Sequence, residues 1–191
     1  IGQGVLMVDA DFLSLPLSAT ADAAIAAATA AGASYVDVRI ERTRTGVLQL
    51  RDAKPETQTD DSIFGIGVRV IVAGTYGFAS SPEVSAASAA RLAQSAVAMA
   101  KTSKPLATEF VESAAEPTYS NQIWRSSYQL DPFEVPDAEK IARLTELSNK
   151  LLASPAVNHA QAYTMFVKEQ KYFANSAGTS TTQQRVRMQT Q

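Results

Sequence analysis

The sequence contains no cysteine among its 191 residues. Disulfide bonds, thiolate chemistry and cysteine-ligated zinc are therefore excluded from this chain. Histidine is nearly as scarce, because His159 is its single representative. A zinc peptidase commonly places two histidines one helical turn apart, with a glutamate that activates water, and this pattern does not occur here. We therefore predict no metal ligands and no catalytic residues in this chain, and we assign His159 a structural or surface role.

The chain also lacks a charge bias and long apolar runs. Its 17 basic and 19 acidic residues give a formal net charge of −2, and no basic stripe predicts a nucleic-acid partner. The alanine-dominated segment 23–31 is too short for a transmembrane helix. Residues 1–17 lack the basic start and apolar core of a secretory signal. We expect a cytoplasmic protein with neither a membrane nor a nucleic-acid partner.

What the chain does contain is typical of a globular protein, with 46% hydrophobic and 19% charged residues. A first helix is predicted over 20–32, with Thr20 as its N-cap and Gly32 at its end. Residues 35–42 alternate between apolar and charged side chains, which predicts a strand with one solvent-exposed face. Its apolar members are Val36, Val38 and Ile40. The next two strands are expected at 46–51 and 56–60.

The alternation is strongest over 64–73 and predicts a strand. Gly65 and Gly67 remove side chains from one of its faces, which indicates that a helix or another backbone approaches closely there. A tight turn at 73–75 leads into a second strand over 76–80, completing a hairpin. Ser81, Pro82 and Glu83 predict the start of a helix that continues to about Ser103. Its expected buried stripe comprises Ala89, Leu92, Ala93, Ala96, Val97 and Ala100.

The second half of the chain is also predicted to contain both strands and a helix, but their pattern is less regular. A short strand is predicted around Ile123 and Trp124, and a second long helix over 137–153. Its predicted inward side chains are Ile141, Leu144, Leu147 and Leu151. Strand patterns return over 157–168, 171–175 and 180–191, and the last one continues to Gln191 without a cap or turn.

These elements predict an α/β (α+β) fold, in which two long helices pack on an antiparallel or mixed sheet. The predicted organisation is an N-terminal extension (1–19), a first helix and sheet unit (20–103), a connector (104–135) and a second unit (136–191) that is truncated at its C-terminus. A helix followed by three strands occurs at 20–60 and again at 137–191, so an internal repeat is a further hypothesis.

Several residue groups suggest chemistry that their spacing does not support. Gly65 and Gly67 lie inside a strand and lack the third glycine of a dinucleotide-binding loop. The carboxylates of Glu41, Asp60, Asp61 and Asp131 have no fixed spacing, so they are expected to be solvated. Arginines 39, 42, 44 and 51 alternate with acids, which is typical of a solvated strand face.

Three motifs occur in an informative order: Gly32–Arg39, Gly65–Val70 and Gly74–Ser80. Together they resemble the amino-terminal region of the TldD/PmbA family of zinc-dependent peptidases, also known as modulators of DNA gyrase. The segment Asp131–Ile141 is similar to one that TldD-type members carry before their second helix, which favours the TldD branch. The segment Phe173–Thr179 is similar to the Asn-Ser-x-Gly hairpin of the family.

The resemblance implies an amino-terminal domain of a metallopeptidase subunit that acts on peptides or unfolded segments. It implies zinc in the carboxy-terminal half, which this chain lacks, and a homodimer or a heterodimer with a paralogue. Substrate binding is then expected at Arg69 and Tyr76 near the glycine hairpin, and at Asn175 in the second hairpin. Two alternatives stay open: a non-catalytic peptide-binding or scaffold module that uses its strand edges, and a small hydrolase with scattered carboxylates.

Overall fold

A computed structural model describes residues 8–191 of the chain. Its helices are α1 (Ala10–Leu13), α2 (Leu17–Ala30), α3 (Ala86–Ser103) and α4 (Asp137–Leu152), with a 3-10 turn at Lys104–Leu106. Its strands are β1 (Tyr35–Arg51), β2 (Lys54–Val72), β3 (Thr75–Ser81), β4 (Gln122–Arg125), β5 (Gln161–Asn175) and β6 (Ser180–Thr190). They form one mostly antiparallel sheet in the order β3-β2-β1-β5-β6-β4, so the predicted α+β class is confirmed.

The strands are longer than the sequence pattern predicts. Residues 35–42 and 46–51 were expected to be separate strands, yet both belong to β1, which has 17 residues. The 19-residue β2 likewise joins the two segments predicted at 56–60 and 64–73. The turn between β1 and β2 is made by Asp52 and Ala53, both with positive φ (50° and 63°). In the second half, β5 joins two further predicted pieces.

The chain divides into two compact units, each built from three segments. Among the described residues, unit 1 contains residues 8–42, Phe64–Arg125 and Gln170–Gln184. Unit 2 contains Thr43–Ile63, Ser126–Glu169 and Arg185–Gln191. The strands β1, β2, β5 and β6 therefore contribute residues to both units.

The core of unit 1 forms where α2 and α3 cover one face of the strands. The predicted apolar side of β1 is confirmed, because Val36, Val38 and Ile40 are fully buried. Phe12 of α1, in the predicted N-terminal extension, is also fully buried in this core; residues 1–7 of that extension lie outside the described residues. The other side of β1 was predicted to face solvent, and here the prediction is wrong for Asp37, which is only 1% exposed.

Both helix starts in unit 1 differ from the prediction. Because α2 begins at Leu17, Thr20 is a buried residue within the helix instead of its N-cap; Gly32 follows the helix end with φ 98°, as expected of a terminating glycine. The N-cap of α3 is Ser85, whose Oγ accepts the Ser88 N–H at 3.1 Å. Ser81, the predicted cap, accepts the Glu83 N–H in a preceding turn instead.

The glycines of the β2–β3 hairpin approach different neighbours. A Cβ on Gly65 would lie 2.9 Å from the carbonyl oxygen of Ser81, which confirms a close backbone there. A Cβ on Gly67 would meet the ring edge of Phe78 at 3.1 Å, so the predicted helix does not cover this position. The glycine that faces α3 is Gly77, where a Cβ would overlap the carbonyl oxygen of Ala96.

Unit 2 has a smaller core, in which α4 contributes Leu144. Its other members are Leu48 and Leu50 of β1, and Ala162 and Phe166 of β5. Leu147 and Leu151 were predicted to point inward, but more than half of each is exposed. Ser148 occupies the inward position instead and is fully buried.

Candidate functional site

The candidate site lies on the side of the unit 1 strands opposite α2 and α3, which we call the open face. Side chains alternate between the two faces along each strand, and directly paired residues of neighbouring strands lie on the same face. The β3 residues paired with Gly67, Arg69 and Ile71 of β2 therefore share one face with these three residues. The open face carries Tyr35, Asp37, Arg39 and Glu41 of β1, Arg69 of β2, Tyr76 and Phe78 of β3, and Lys171, Phe173 and Asn175 of β5.

A buried carboxylate forms the centre of the open face. Asp37 accepts Arg69 Nε at 2.7 Å and Arg69 Nη2 at 2.6 Å, both on Oδ2. Arg39 Nη2 lies 3.6 Å from the other oxygen, Oδ1. Since an unpaired buried charge is costly, these arginines explain how an aspartate can be buried on a strand face that the sequence indicated was wet.

The electrostatics of Arg69 follow from this pairing. Burial lowers the pKa of Arg69, but the hydrogen bond and negative charge of Asp37 outweigh this effect, so its pKa is raised above the ordinary arginine value. The side chain therefore stays cationic. Its guanidinium carbon also lies 5.7 Å from the ring centroid of Tyr76, which is within the range of a cation–π contact.

Two of the three predicted substrate-binding residues come together here. Arg69 and Tyr76 are in contact, and Tyr76 is 49% exposed. Asn175 lies on the same face but is engaged in the β5–β6 turn, where its Oδ1 accepts the N–H groups of Ala177 and Thr179. Asn175 is therefore explained by the turn, while Arg69 and Tyr76 keep exposed surface.

The sequence did not single out three other residues of the open face. Phe78 is 52% exposed on β3, and the guanidinium of Arg39 lies 5.8 Å from the ring centroid of Phe173. Alternation along β1 from Asp37 could have placed Arg39 on this face. The strand order that brings Phe173 beside it could not be derived from local sequence.

A cavity of about 630 Å³ opens at one end of these strands in unit 1. Tyr35 and Gly74 line it together with Lys104 and Phe110. Tyr35 thus belongs both to the open face and to the wall of this cavity.

Three of the four carboxylates considered as catalytic candidates have a basic partner. Glu41 contacts Lys171 at 2.9 Å, Asp60 accepts Arg44 Nε at 2.8 Å, and Asp131 pairs with Lys168. Asp131 is buried, which corrects the expectation that it is solvated. Within residues 8–191, no group of three or more histidine, aspartate or glutamate side chains is arranged to hold a metal ion. Glu41, Asp60 and Asp131 therefore serve in ion pairs.

His159 makes a surface contact in unit 2. Its Nδ1 lies 3.0 Å from Oδ2 of Asp52, and Oδ1 of Asp52 accepts the Ala160 N–H at 2.9 Å. The backbone hydrogen bond from Ala160, followed by the one from His159, lowers the pKa of Asp52 below the ordinary value of 3.8. The aspartate thus joins the β1–β2 turn to the start of β5.

This pairing predicts a pH dependence of stability. A carboxylate whose pKa is lowered by folding stabilises the folded state above its unfolded pKa, and this contribution is lost as the pH falls through the lower folded pKa. At pH values below about 4, we expect the melting temperature of the unchanged chain to decrease as the pH is lowered. We expect this decrease in melting temperature to be smaller in the Asp52→Asn variant. The matched control is Asp61→Asn, an exposed carboxylate of the same unit. Equal acid-side slopes for Asp52→Asn and the unchanged chain would contradict the prediction.

Comparison with known proteins bears on the same region. Residues 36–100 match the model of PmbA/TldA metallopeptidase domain 1. This segment holds most of β1, the β2–β3 hairpin and nearly all of α3, and thus most of the open face. This segment is therefore similar to domain 1 of the PmbA/TldD metallopeptidase family, the family that the motif order indicated. No curated protein sequence matches it.

Solved structures share the fold at low sequence identity. A proposed modulator of DNA gyrase from Bacteroides thetaiotaomicron matches with a TM-score of 0.66 and 13% identity over 88% of this chain. A second one, from Thermotoga maritima, matches with a TM-score of 0.66 and 15% identity over 87%. TldE from Thermococcus kodakarensis matches with a TM-score of 0.63 and 15% identity over 86%. The matches span 38%, 37% and 36% of those three chains, respectively.

Among residues 8–191, no helix is both long enough and apolar enough to cross a membrane.

Proposed function

We propose that this chain is the amino-terminal part of a TldD-like metallopeptidase subunit and helps to hold an extended peptide. The observation that carries the proposal is the open face, where Arg69 and Tyr76 are in contact and half of Tyr76 is exposed. The family of domain 1 supports it, because a metallopeptidase needs a surface that holds its substrate near the metal.

In this proposal the catalytic zinc is bound elsewhere in the full-length protein. Residues 8–191 hold no cluster of metal-ligating side chains, and the chain spans little more than a third of its structural relatives. The full-length protein would act in the cytoplasm on peptides or unfolded segments, as a homodimer or with a family paralogue. In this proposal, the present chain binds the peptide, and the zinc-containing part of the full-length protein cleaves it.

A scaffold module is the second candidate, and the sheet edge favours it. The strand β3 pairs with β2 only over Ile66–Val72, so the remainder of the 19-residue β2 extends beyond its partner. Free strand edges can accept an additional strand through backbone hydrogen bonds. A module of this kind would bind extended chains without contributing to cleavage.

The open face makes a direct prediction for peptide binding. Tyr76→Ala should weaken binding of a fluorescein-labelled unfolded casein peptide by about threefold to tenfold, because an aromatic contact is worth about 0.5–1.5 kcal/mol. Fluorescence anisotropy with the 191-residue chain measures it. Tyr119→Ala is the matched control, since Tyr119 is similarly exposed at 54% but lies outside the open face. Equal affinities for the two variants would contradict a role for this face.

Cleavage experiments on the full-length protein distinguish the peptidase hypothesis from the scaffold hypothesis. Cleavage of a flexible peptide should be fast, and cleavage of the same segment locked in a folded domain should be slow, if an extended backbone is required. Tyr76→Ala should then raise KM more than it lowers kcat, because it removes binding that is remote from the reacting bond. Peptide binding without any cleavage, in a full-length protein loaded with zinc, would favour the scaffold.

A further inference from the structure

We propose that the open face selects an acidic side chain of an extended peptide, which Arg39 binds between two apolar residues of that peptide. This inference rests on the proposed peptide-binding function and names the sequence that the face prefers. It follows from the charge balance of the open face, from the position of Arg39 and from the aromatic rings on either side of it.

The charges of the open face leave one cation in excess. Glu41 is paired with Lys171. Asp37 is the carboxylate for two guanidinium groups, and Arg69 occupies its Oδ2 through two short contacts. Arg39 reaches only the other oxygen, at 3.6 Å, which is too long for a good hydrogen bond. The face is therefore complementary to one additional negative charge.

Arg39 is placed to accept that charge. Its side chain is 46% exposed, and a guanidinium presents five donors in a planar fork that matches a carboxylate. Its guanidinium carbon also lies 5.8 Å from the ring centroid of Phe173, within the range of a cation–π contact. Arg39 can therefore bind a second carboxylate while Asp37 remains paired with Arg69.

The aromatic residues indicate what flanks the acid. In the strand order β3-β2-β1-β5, Tyr76 and Phe78 of β3 lie on one side of Arg39, and Phe173 of β5 lies on the other. A peptide that crosses the strands would meet aromatic surface before and after the arginine. An internal acidic residue with an apolar residue on each side therefore fits this arrangement better than a chain end.

A polyanion fits less well. Single-stranded nucleic acid also uses arginine and aromatic side chains, but it needs a basic groove along its backbone. The open face has three cations, two carboxylates and a chain with net charge −2 around it. One carboxylate balances the excess positive charge of this face, whereas a run of phosphates brings more negative charge than the face can pair.

The test uses the 191-residue chain and labelled peptides. The first probe is Gly-Phe-Gly-Glu-Gly-Phe-Gly with a blocked amino terminus and a C-terminal amide, and its twin carries Gln in place of Glu. We expect the Glu peptide to bind about tenfold more tightly, as charge-assisted hydrogen bonds allow. Arg39→Gln should remove this preference, and Arg39→Lys should restore part of it because the charge returns without the fork. Arg91→Gln, at an exposed arginine of α3, should leave it unchanged.

Each outcome is decisive. Equal binding of the Glu and Gln peptides, or a preference that persists in a folded Arg39→Gln variant, would overturn this inference while leaving peptide binding intact. A Gln peptide with a free terminal carboxylate that binds as well as the Glu peptide would show that the acid is the chain end, which also overturns it. If a 12-nucleotide oligothymidine displaces the Glu peptide at equal concentration, the face binds nucleic acid instead. Failure of both peptides to bind would overturn the proposed function as well.

Discussion

Replacement of Gly77 by alanine should destabilise unit 1 by about 3 kcal/mol or more, because overpacking against a rigid backbone is costly. The new Cβ would overlap the carbonyl oxygen of Ala96, and it would lie 2.9 Å from the carbonyl carbon and 3.0 Å from the Cβ of Ala100. Those atoms belong to the middle of the 18-residue helix α3. They cannot move aside as the end of a flexible side chain can, so the helix and the hairpin must separate.

Chemical denaturation measures this effect, with Gly67→Ala as the matched control. Both glycines lie in the same hairpin, but the Cβ at position 67 would meet the ring edge of the half-exposed Phe78, which can rotate away. We expect Gly67→Ala to change stability by less than about 1 kcal/mol, since alanine also lowers the entropy of the unfolded chain. Similar denaturation midpoints for the two variants would mean that α3 does not pack on Gly77 as described.

The two glycines show which part of the fold the sequence could predict. Alternation identified the β2–β3 hairpin and the apolar face of β1, and the alanine stripe identified α3 up to its last residue, because each of these signals is local. Gly67 and Gly77 lie only ten residues apart, yet nothing local states which one the helix covers. That distinction depends on which face of the hairpin α3 packs against.

Local sequence patterns also failed to predict that β1 is one continuous strand. Residues 43–45 interrupt the apolar alternation and were expected to separate two strands. In the structure Arg44 pairs with Asp60, 16 positions away in β2, and its guanidinium carbon lies 4.5 Å from the ring centroid of Phe133. Polar residues can therefore continue a strand when their partners come from distant segments. The same reason explains why buried Asp37 was mistaken for a solvated residue, since Arg69 is 32 positions away.

The candidate site was predicted in part. Arg69 and Tyr76 were chosen because they flank a glycine hairpin, and the register of β2 and β3 brings them to the same face. Arg39 and Phe173 were not chosen, because their contact joins β1 to β5 across more than 130 positions. Asn175 was chosen from its hairpin motif, and its hydrogen bonds in the turn account for that motif.

The ion pair between Asp131 and Lys168 predicts the second large effect. Both side chains are mostly buried, at 7% and 12% exposure, and Oδ1 of Asp131 also accepts the Phe133 N–H at 3.0 Å. Lys168→Met leaves the carboxylate buried without its ammonium partner. Breaking such a pair by removing one partner costs about 3–5 kcal/mol, far more than the pair contributes relative to uncharged residues. We expect a loss of about 3 kcal/mol at pH 7, measured by denaturation.

A second variant distinguishes the buried charge from lost packing. The double change Asp131→Asn with Lys168→Met removes both charges while keeping an amide oxygen for the Phe133 N–H, so it should recover about 1–2 kcal/mol relative to Lys168→Met alone. The control is Lys150→Met, which breaks a 2.7 Å pair with Glu146 on the surface of α4. Because both of those side chains are at least half exposed, the control should leave stability nearly unchanged. A double variant that is less stable than Lys168→Met would mean that the pair is held by hydrogen bonding and packing instead of by its charges.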